Sequence, residues 1–299
     1  MAVTQKAMIE ELRAWQIFPY EREAKKVQKA LLAAGERDLA SKIARCARGK
    51  VCCSHYCRTC RAKAVVEFQK RLRARFETDV NGDPALLQQR WYYLTILCAV
   101  VEVDGASTQR AVEEAREGLY ALKRKFPDLW MQGAFEFELV PISERLNNIN
   151  VISKEKAETL WALLGKDRAD SIGREPREMI HVHLHAVVDL VQYGRNELRT
   201  WMRKKWNCHP LQVQLKATRS NQFVDEKIKK IASYGLKNRL KYNGTFSNNT
   251  WEFGQDFTYL EAGRLIKVHH DFMSLSTGSM KSFLIGMSSK SEGIVWNGV

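Results

Sequence analysis

The 299-residue chain has no apolar run long enough to cross a membrane. Its longest, Trp91 to Val101 (WYYLTILCAVV), is interrupted by Thr95 and is about half of the ~20 residues a span requires. The first residues, MAVTQKAMIEELRAW, place acids where a secretory signal would carry its apolar core. The expectation is a protein that stays in the compartment where it is made, the cytoplasm, without a membrane partner. Internal repeats and low-complexity tracts are missing, which argues against a repeat architecture. Acidic charge is scarce: 34 Asp and Glu stand against 48 Lys and Arg, a net charge of +14. Such an excess favours a polyanionic partner, nucleic acid first and an anionic membrane surface second. With 45% hydrophobic residues there is ample apolar surface to offset chain entropy, which excludes disorder as the main state.

The positive charge is concentrated. Residues 42–75 and 199–241 are each net +10, so the remainder is net acidic. These runs either coat solvated helix faces or contact phosphates; two such runs in one chain favour phosphates. Within them, Arg61, Lys63, Lys70, Arg71, Lys230, Arg239 and Lys241 are the candidate DNA-binding residues. Five of the seven cysteines crowd into residues 46–60, RCARGKVCCSHYCRTC with its neighbours, and in a reducing compartment such a cluster binds metal more often than it forms disulfides. Cys57-x-x-Cys60 has zinc-knuckle spacing, and Cys46 with Cys52 or Cys53 can supply the other two sulfurs of a tetrahedral zinc site, with His55 as a substitute.

Hydrophobic periodicity predicts an α+β chain. Residues 1–84 read as a helical, basic, Cys-rich region, with helices over Glu21–Ala33 and Arg61–Phe76, closed by the breaker Asn81-Gly82-Asp83-Pro84. Residues 85–245 alternate: strand Trp91–Val101, helix Ala111–Phe126 with Thr108 as cap, strands Gly133–Val140 and His181–Leu190, helix Arg195–Trp206, strand Leu211–Lys216 and a basic helix Val224–Tyr242. This order predicts an antiparallel-rich sheet with helices on one face. Residues 246–299 read as a partly disordered extension, loosely ordered after Gly278.

Three features carry chemistry. His181, His183 and His185 alternate with Val182 and Leu184, so in a strand all three imidazoles project from one face, neighbours about 7 Å apart, while the aliphatics anchor the other face. Such a row suits a divalent ion with a carboxylate completing its shell. Glu136 and Glu138 alternate with Phe135, Phe137 and Leu139, and either can serve if the two strands are neighbours; Glu138 is preferred, with Glu136 as the alternative. If they are not, both carboxylates simply face solvent. Tyr234-Gly-Leu-Lys237 sets a phenol and an ammonium on one helix face, an arrangement that favours a Tyr nucleophile and charge neutralisation on a phosphate. Cys98 and Cys208 have no assigned role.

In order, Tyr93-Leu-Thr-Ile-Leu, HVHLHAVVDL and YGLKNRLKY resemble the three motifs of HUH endonucleases, and among these the rolling-circle replication initiators of bacterial plasmids. The resemblance covers residues 90–245 and implies an RRM-like palm. It implies that His183 and His185 bind Mg²⁺ or Mn²⁺, with His181 accessory and a glutamate completing the set. Tyr234 would then attack DNA to leave a 5′-phosphotyrosine and a free 3′-OH, assisted by Lys237. Origin DNA, as single strand or hairpin, and a host helicase and polymerase are the implied partners. Tyr242 lies eight residues from Tyr234, not four as in two-tyrosine members, so the single-tyrosine branch fits; Lys230 stands where some members carry a glutamate. Three other readings remain open: a histidine-triad nucleotide hydrolase or transferase with His183 as nucleophile, a transposase or relaxase of the same superfamily, and a non-catalytic zinc-bearing nucleic-acid-binding protein.

Overall fold

A computed structural model describes residues 21–46, 52, 54, 56–79, 90–142, 159, 162–164, 177–190, 193–205, 212–218, 226, 228, 231–232, 245–247, 250–252, 258–275 and 284–287, with some side chains inside these elements excepted. Among the described residues the main elements, in chain order, are α1 (Glu21–Ala33), α2 (Arg37–Arg45), α3 (Arg58–Asp79), β1 (Trp91–Val101), α4 (Gly105–Lys125), β2 (Trp130–Ile142), β3 (Arg177–Asp189), α5 (Arg195–Lys205), β4 (Val213–Ala217), β5 (Thr245–Ser247), β6 (Thr250–Glu252), α6 (Tyr259–Leu275) and β7 (Leu284–Met287). Among the described residues, no helix is long and apolar enough to cross a membrane.

The central sheet has five strands in the order β4-β1-β3-β2-β7, and every neighbouring pair is antiparallel. β3 lies at its centre, which explains its composition. Apolar clusters lie on both faces of the sheet, and Ile180, Val182, Leu184 and Val188 are all fully buried on one of them. Gly133 on β2 faces Ala186 of β3 so closely that a Cβ there would run into the carbonyl oxygen of His185 and the Ala186 side chain. The small residue lets β2 approach β3 beside the histidines.

Two apolar clusters hold the sheet. On one face the Ile180–Val188 row, with Leu94, Ile96, Phe135, Phe137 and Leu139, packs against α4 and α6 and reaches Val27, Leu31, Leu39 and Ile43 of α1 and α2. On the other, Val65, Phe68, Leu72 and Phe76 of α3 pack with Ile228, Ile231 and Ala232 against Trp91, Trp130, Ala134 and Val187. Helices therefore cover both faces and not one. The physical reason is that α3 carries its own apolar stripe through the basic run, and Trp91 and Trp130, stacked at 5.6 Å, offer it a surface on the far side.

The N-terminal helices share one continuous core with the sheet. Gly263 of α6 sits against the Ala30 carbonyl of α1, an approach that a Cβ would block. The C-terminal stretch is more structured than its composition suggests, since α6 buries Leu265, Ile266, Phe272 and Met273 and β7 adds an edge strand to β2. Its short apolar segments lie between polar ones, so the periodicity shows only once β2 offers an edge. α4 starts at Gly105, where Asp104 and not Thr108 is the cap: Asp104 accepts from the Ser107 N–H at 2.7 Å, and the Thr108 hydroxyl donates to the Asp104 carbonyl. The Val224–Tyr242 helix is described at Glu226, Ile228, Ile231 and Ala232, which are helical.

Candidate metal centres

β2 runs beside β3 in a register that sets Glu136 opposite His183 and Glu138 opposite His181. The carboxylates and the imidazoles thus share a sheet face, and the side chains lean diagonally along it. His183 Nε2 lies 3.1 Å from Glu138 Oε2, and His185 Nε2 lies 3.0 Å from Glu136 Oε2. His181 Nδ1 is 3.9 Å from Glu138. The two glutamates do not face solvent; their side chains are 14% and 12% exposed. The rings run in a row, with centroids 4.0 Å apart between His181 and His183 and 5.6 Å between His183 and His185.

Two overlapping groups could hold an ion, Glu136–His183–His185 and Glu138–His181–His183, each with its ligand atoms within 4.8 Å of one another. His183 belongs to both. With the pair His183 and His185, the carboxylate brought into the group is Glu136; Glu138 groups with His181 and His183. The mixed imidazole and carboxylate donors suit Mg²⁺, Mn²⁺ or another divalent ion. Burial pushes the Glu136 carboxyl up, but the hydrogen bond from His185 and the charges of His183 and His185 outweigh it, so the group is held below its ordinary range. It stays an anion, as a ligand must.

β1 contributes the orienting partner. Thr95 lies opposite His185, and its hydroxyl is 3.1 Å from Nδ1 of that ring, leaving Nε2 to face Glu136. A second partner fixing the far nitrogen of a ligating imidazole is the usual way such a ring is held. Thr95 is the one small polar side chain in an otherwise apolar and aromatic strand, a signal visible in the sequence. Beyond it a bulge at Cys98 changes the register, so that Val100 and not Ala99 faces His181. Burial pushes the Cys98 thiol up to about 12.

The cysteines form the second centre. Cys46, Cys52, Cys57 and Cys60 are all buried and their sulfurs lie within 4.8 Å of one another, none in a disulfide. Sγ–Sγ separations are 3.6 Å for Cys46–Cys60 and 3.7 Å for Cys52–Cys60. An ion bonded to four sulfurs at about 2.3 Å in a regular tetrahedron would set them about 3.8 Å apart, so the cage fits a zinc-sized thiophilic ion. The Cys52 N–H donates to Cys46 Sγ, a contact suited to a thiolate. Hydrogen bonds from Cys52 and Cys60 hold the Cys57 thiol well below its ordinary range, while Cys52 and Cys60 are pushed up. Cys53 and His55 lie outside the described residues.

Between the centres sits Tyr56. Its ring is 7% exposed and meets His269 of α6 edge-on at 5.0 Å; burial, with the nearby charge of Glu136 adding to it, pushes its phenol up. Nothing in its sequence context marks it. At the other end of the histidine face, Asp189 is fully buried and accepts from Arg90 at 3.0 and 2.8 Å and from Arg75 of α3 at 3.4 Å. Burial also lowers the pKa of Arg71, Arg61 is half-buried, and Lys70 is exposed beside Glu67. Tyr234, Lys237, Lys230, Arg239, Lys241, Cys208 and the side chain of Lys63 lie outside the described residues. No protein-family model, curated protein or solved structure matches the chain.

Proposed function

We propose that the chain is a metal-dependent, single-tyrosine DNA nickase of the HUH type, acting as a rolling-circle replication initiator on origin DNA. The observation that carries this reading is the histidine row met, on the same sheet face, by two glutamates of the neighbouring strand. A second observation supports it: Ile228, Ile231 and Ala232 pack on that face against Ala134 and Val187, next along their strands to Glu136 and His185, and Tyr234 follows two residues later.

In this reading His183, His185 and Glu136 hold Mg²⁺ or Mn²⁺, with Thr95 keeping the His185 ring in place. The ion, when bound, withdraws charge from the scissile phosphate. The Tyr234 oxygen forms a bond to phosphorus as the bond to the 3′ oxygen breaks, and that oxygen leaves with a proton as the 3′-OH. The ester keeps the energy of the cleaved bond for rejoining, and Lys237 offsets charge on the phosphate. Lys70 and the other basic residues of the two runs grip the duplex or hairpin through its phosphates. The four cysteines hold zinc as a closed structural site.

The test is incubation with origin-like hairpins and Mn²⁺, followed by denaturing electrophoresis and mapping of the nucleotide-bearing peptide. A covalent adduct on Tyr234 is expected, lost on chelation and absent in Tyr234→Phe, which still binds DNA. Wild type and Tyr234→Phe behaving alike on every hairpin would overturn the reading. Chelator-resistant adenylate hydrolysis would instead favour a histidine nucleophile.

A further inference from the structure

The cysteine cage and the histidine row are assigned separate ions, yet one loop residue joins them. Tyr56 lies between Cys52 and Cys57, so its backbone is set by the turn that presents the sulfurs: the Tyr56 N–H donates to Ser54 Oγ at 3.2 Å and the Cys57 N–H to the Ser54 carbonyl at 3.0 Å. Its ring contacts His269 at 5.0 Å, and His269 in turn lies 4.8 Å from Phe137. Phe137 sits between Glu136 and Glu138 on β2. Tyr56 is therefore linked through the His269 ring to the carboxylate-bearing stretch.

That stretch needs support. β7 pairs with β2 only from Met131 to Ala134, so from Phe135 onward β3 is the sole strand partner of β2 among the described residues. A one-sided strand carries its side chains less firmly than a flanked one. Cys46, Cys52, Tyr56, Cys57 and Cys60 belong to the same buried core as Phe137 and Leu139, and the Tyr56–His269–Phe137 ring contacts join the loop to that stretch.

We propose that the ion in the Cys46–Cys52–Cys57–Cys60 cage fixes Tyr56, and through it the Glu136–Phe137 segment, so that filling the cage sets the affinity of the His183–His185–Glu136 group for its own divalent ion. Tyr56 is a positioning residue, and the inference rests on the reading that both centres bind metal. Outer groups that orient metal ligands are typically worth about 10–100-fold in affinity. Linkage makes the effect reciprocal: an ion on the histidines tightens the hold of the cage on zinc by the same factor.

The experiment uses the full chain purified with zinc. Zinc content is measured by atomic emission, and Mn²⁺ binding by the paramagnetic resonance of the free ion, in wild type, in chelator-stripped wild type, in Tyr56→Leu and in Tyr56→Phe. Circular dichroism establishes that each sample is folded. Zinc at about one equivalent is expected in wild type and both variants. Mn²⁺ affinity should fall about tenfold on stripping and in Tyr56→Leu, and stay within about threefold in Tyr56→Phe, which keeps the ring contact. Zinc loss to a competing chelator should slow when Mn²⁺ is present. If a zinc-loaded, folded Tyr56→Leu binds Mn²⁺ as wild type does, the coupling is overturned; where stripping unfolds the chain, this variant alone decides. Wild type that binds no Mn²⁺ defeats the metal reading itself, and a chain with coupled ions that never nicks DNA defeats only the nickase reading.

Discussion

The cysteine cage and the histidine row solve the same problem in opposite ways. The cage is local: Cys46 and Cys60 are 14 residues apart, Cys46 capping the end of α2, Cys60 lying in the first turn of α3, and Cys52 and Cys57 between them. It is chemically uniform and closed, four thiol groups filling all positions around an ion, which is the signature of a structural site. The row is non-local. Thr95 and His185 are 90 residues apart, and Glu136 reaches His185 only because β2 pairs with β3 in one register. Its donors are mixed and a three-residue group leaves positions for other ligands, as chemistry on a substrate requires. In the proposed reading, stability and reactivity fall to different parts of one core.

If that division is right, the main effect of each substitution should fall on its own centre, with only the roughly tenfold coupling passing between them. The largest effect belongs to the shared imidazole. His183→Ala should lower Mn²⁺ affinity by about 100-fold or more and abolish metal-dependent cleavage, while DNA affinity in gel-shift titrations stays near wild type. Its urea midpoint should change little, because the apolar support of β3 is untouched. An equal loss of DNA binding would make the histidines structural and erase the contrast.

Cys57→Ser should act mainly on the fold. Zinc content should fall to near zero and unfolding stability by several kcal/mol, since binding energy at a closed site is folding energy. Urea denaturation with metal analysis checks both; a variant that keeps full stability without zinc would remove the structural role of the cage.

Asp189→Ala tests whether the far end of the histidine face is purely architectural. Removing a buried carboxylate that ties Arg75 of α3 and Arg90 to β3 should cost roughly 3 kcal/mol with no change in Mn²⁺ affinity. The smallest expected effect is that of Thr95→Val, about tenfold in Mn²⁺ affinity with stability within about 1 kcal/mol. Isothermal titration would show it, and an unchanged affinity would mean that strand packing alone orients His185.

Legibility followed the same division. The alternation of His with Val and Leu, and of Glu with Phe and Leu, was readable because a period of two is a property of any strand. The spacing of Cys57 and Cys60 was readable because their geometry is set within one turn. Helices on the second face were not, since α3 hides its apolar stripe in a highly charged run and needs Trp91 and Trp130 to pack against. β7 was hidden for a similar reason: Leu284–Met287 is four residues among Ser, Gly and Lys, and acquires a strand's identity from the open edge of β2.

By itself the amino-acid order determined which side chains share a face and which sulfurs can meet, because backbone periodicity and short loops act over a few residues. Only the folded chain decided that Glu136 groups with His183 and His185, that Thr95 holds a ring and that Tyr56 stands between two centres. Those are matters of strand register and of side chains leaning across a twisted sheet, and a register is chosen by the whole core at once, not by either strand alone.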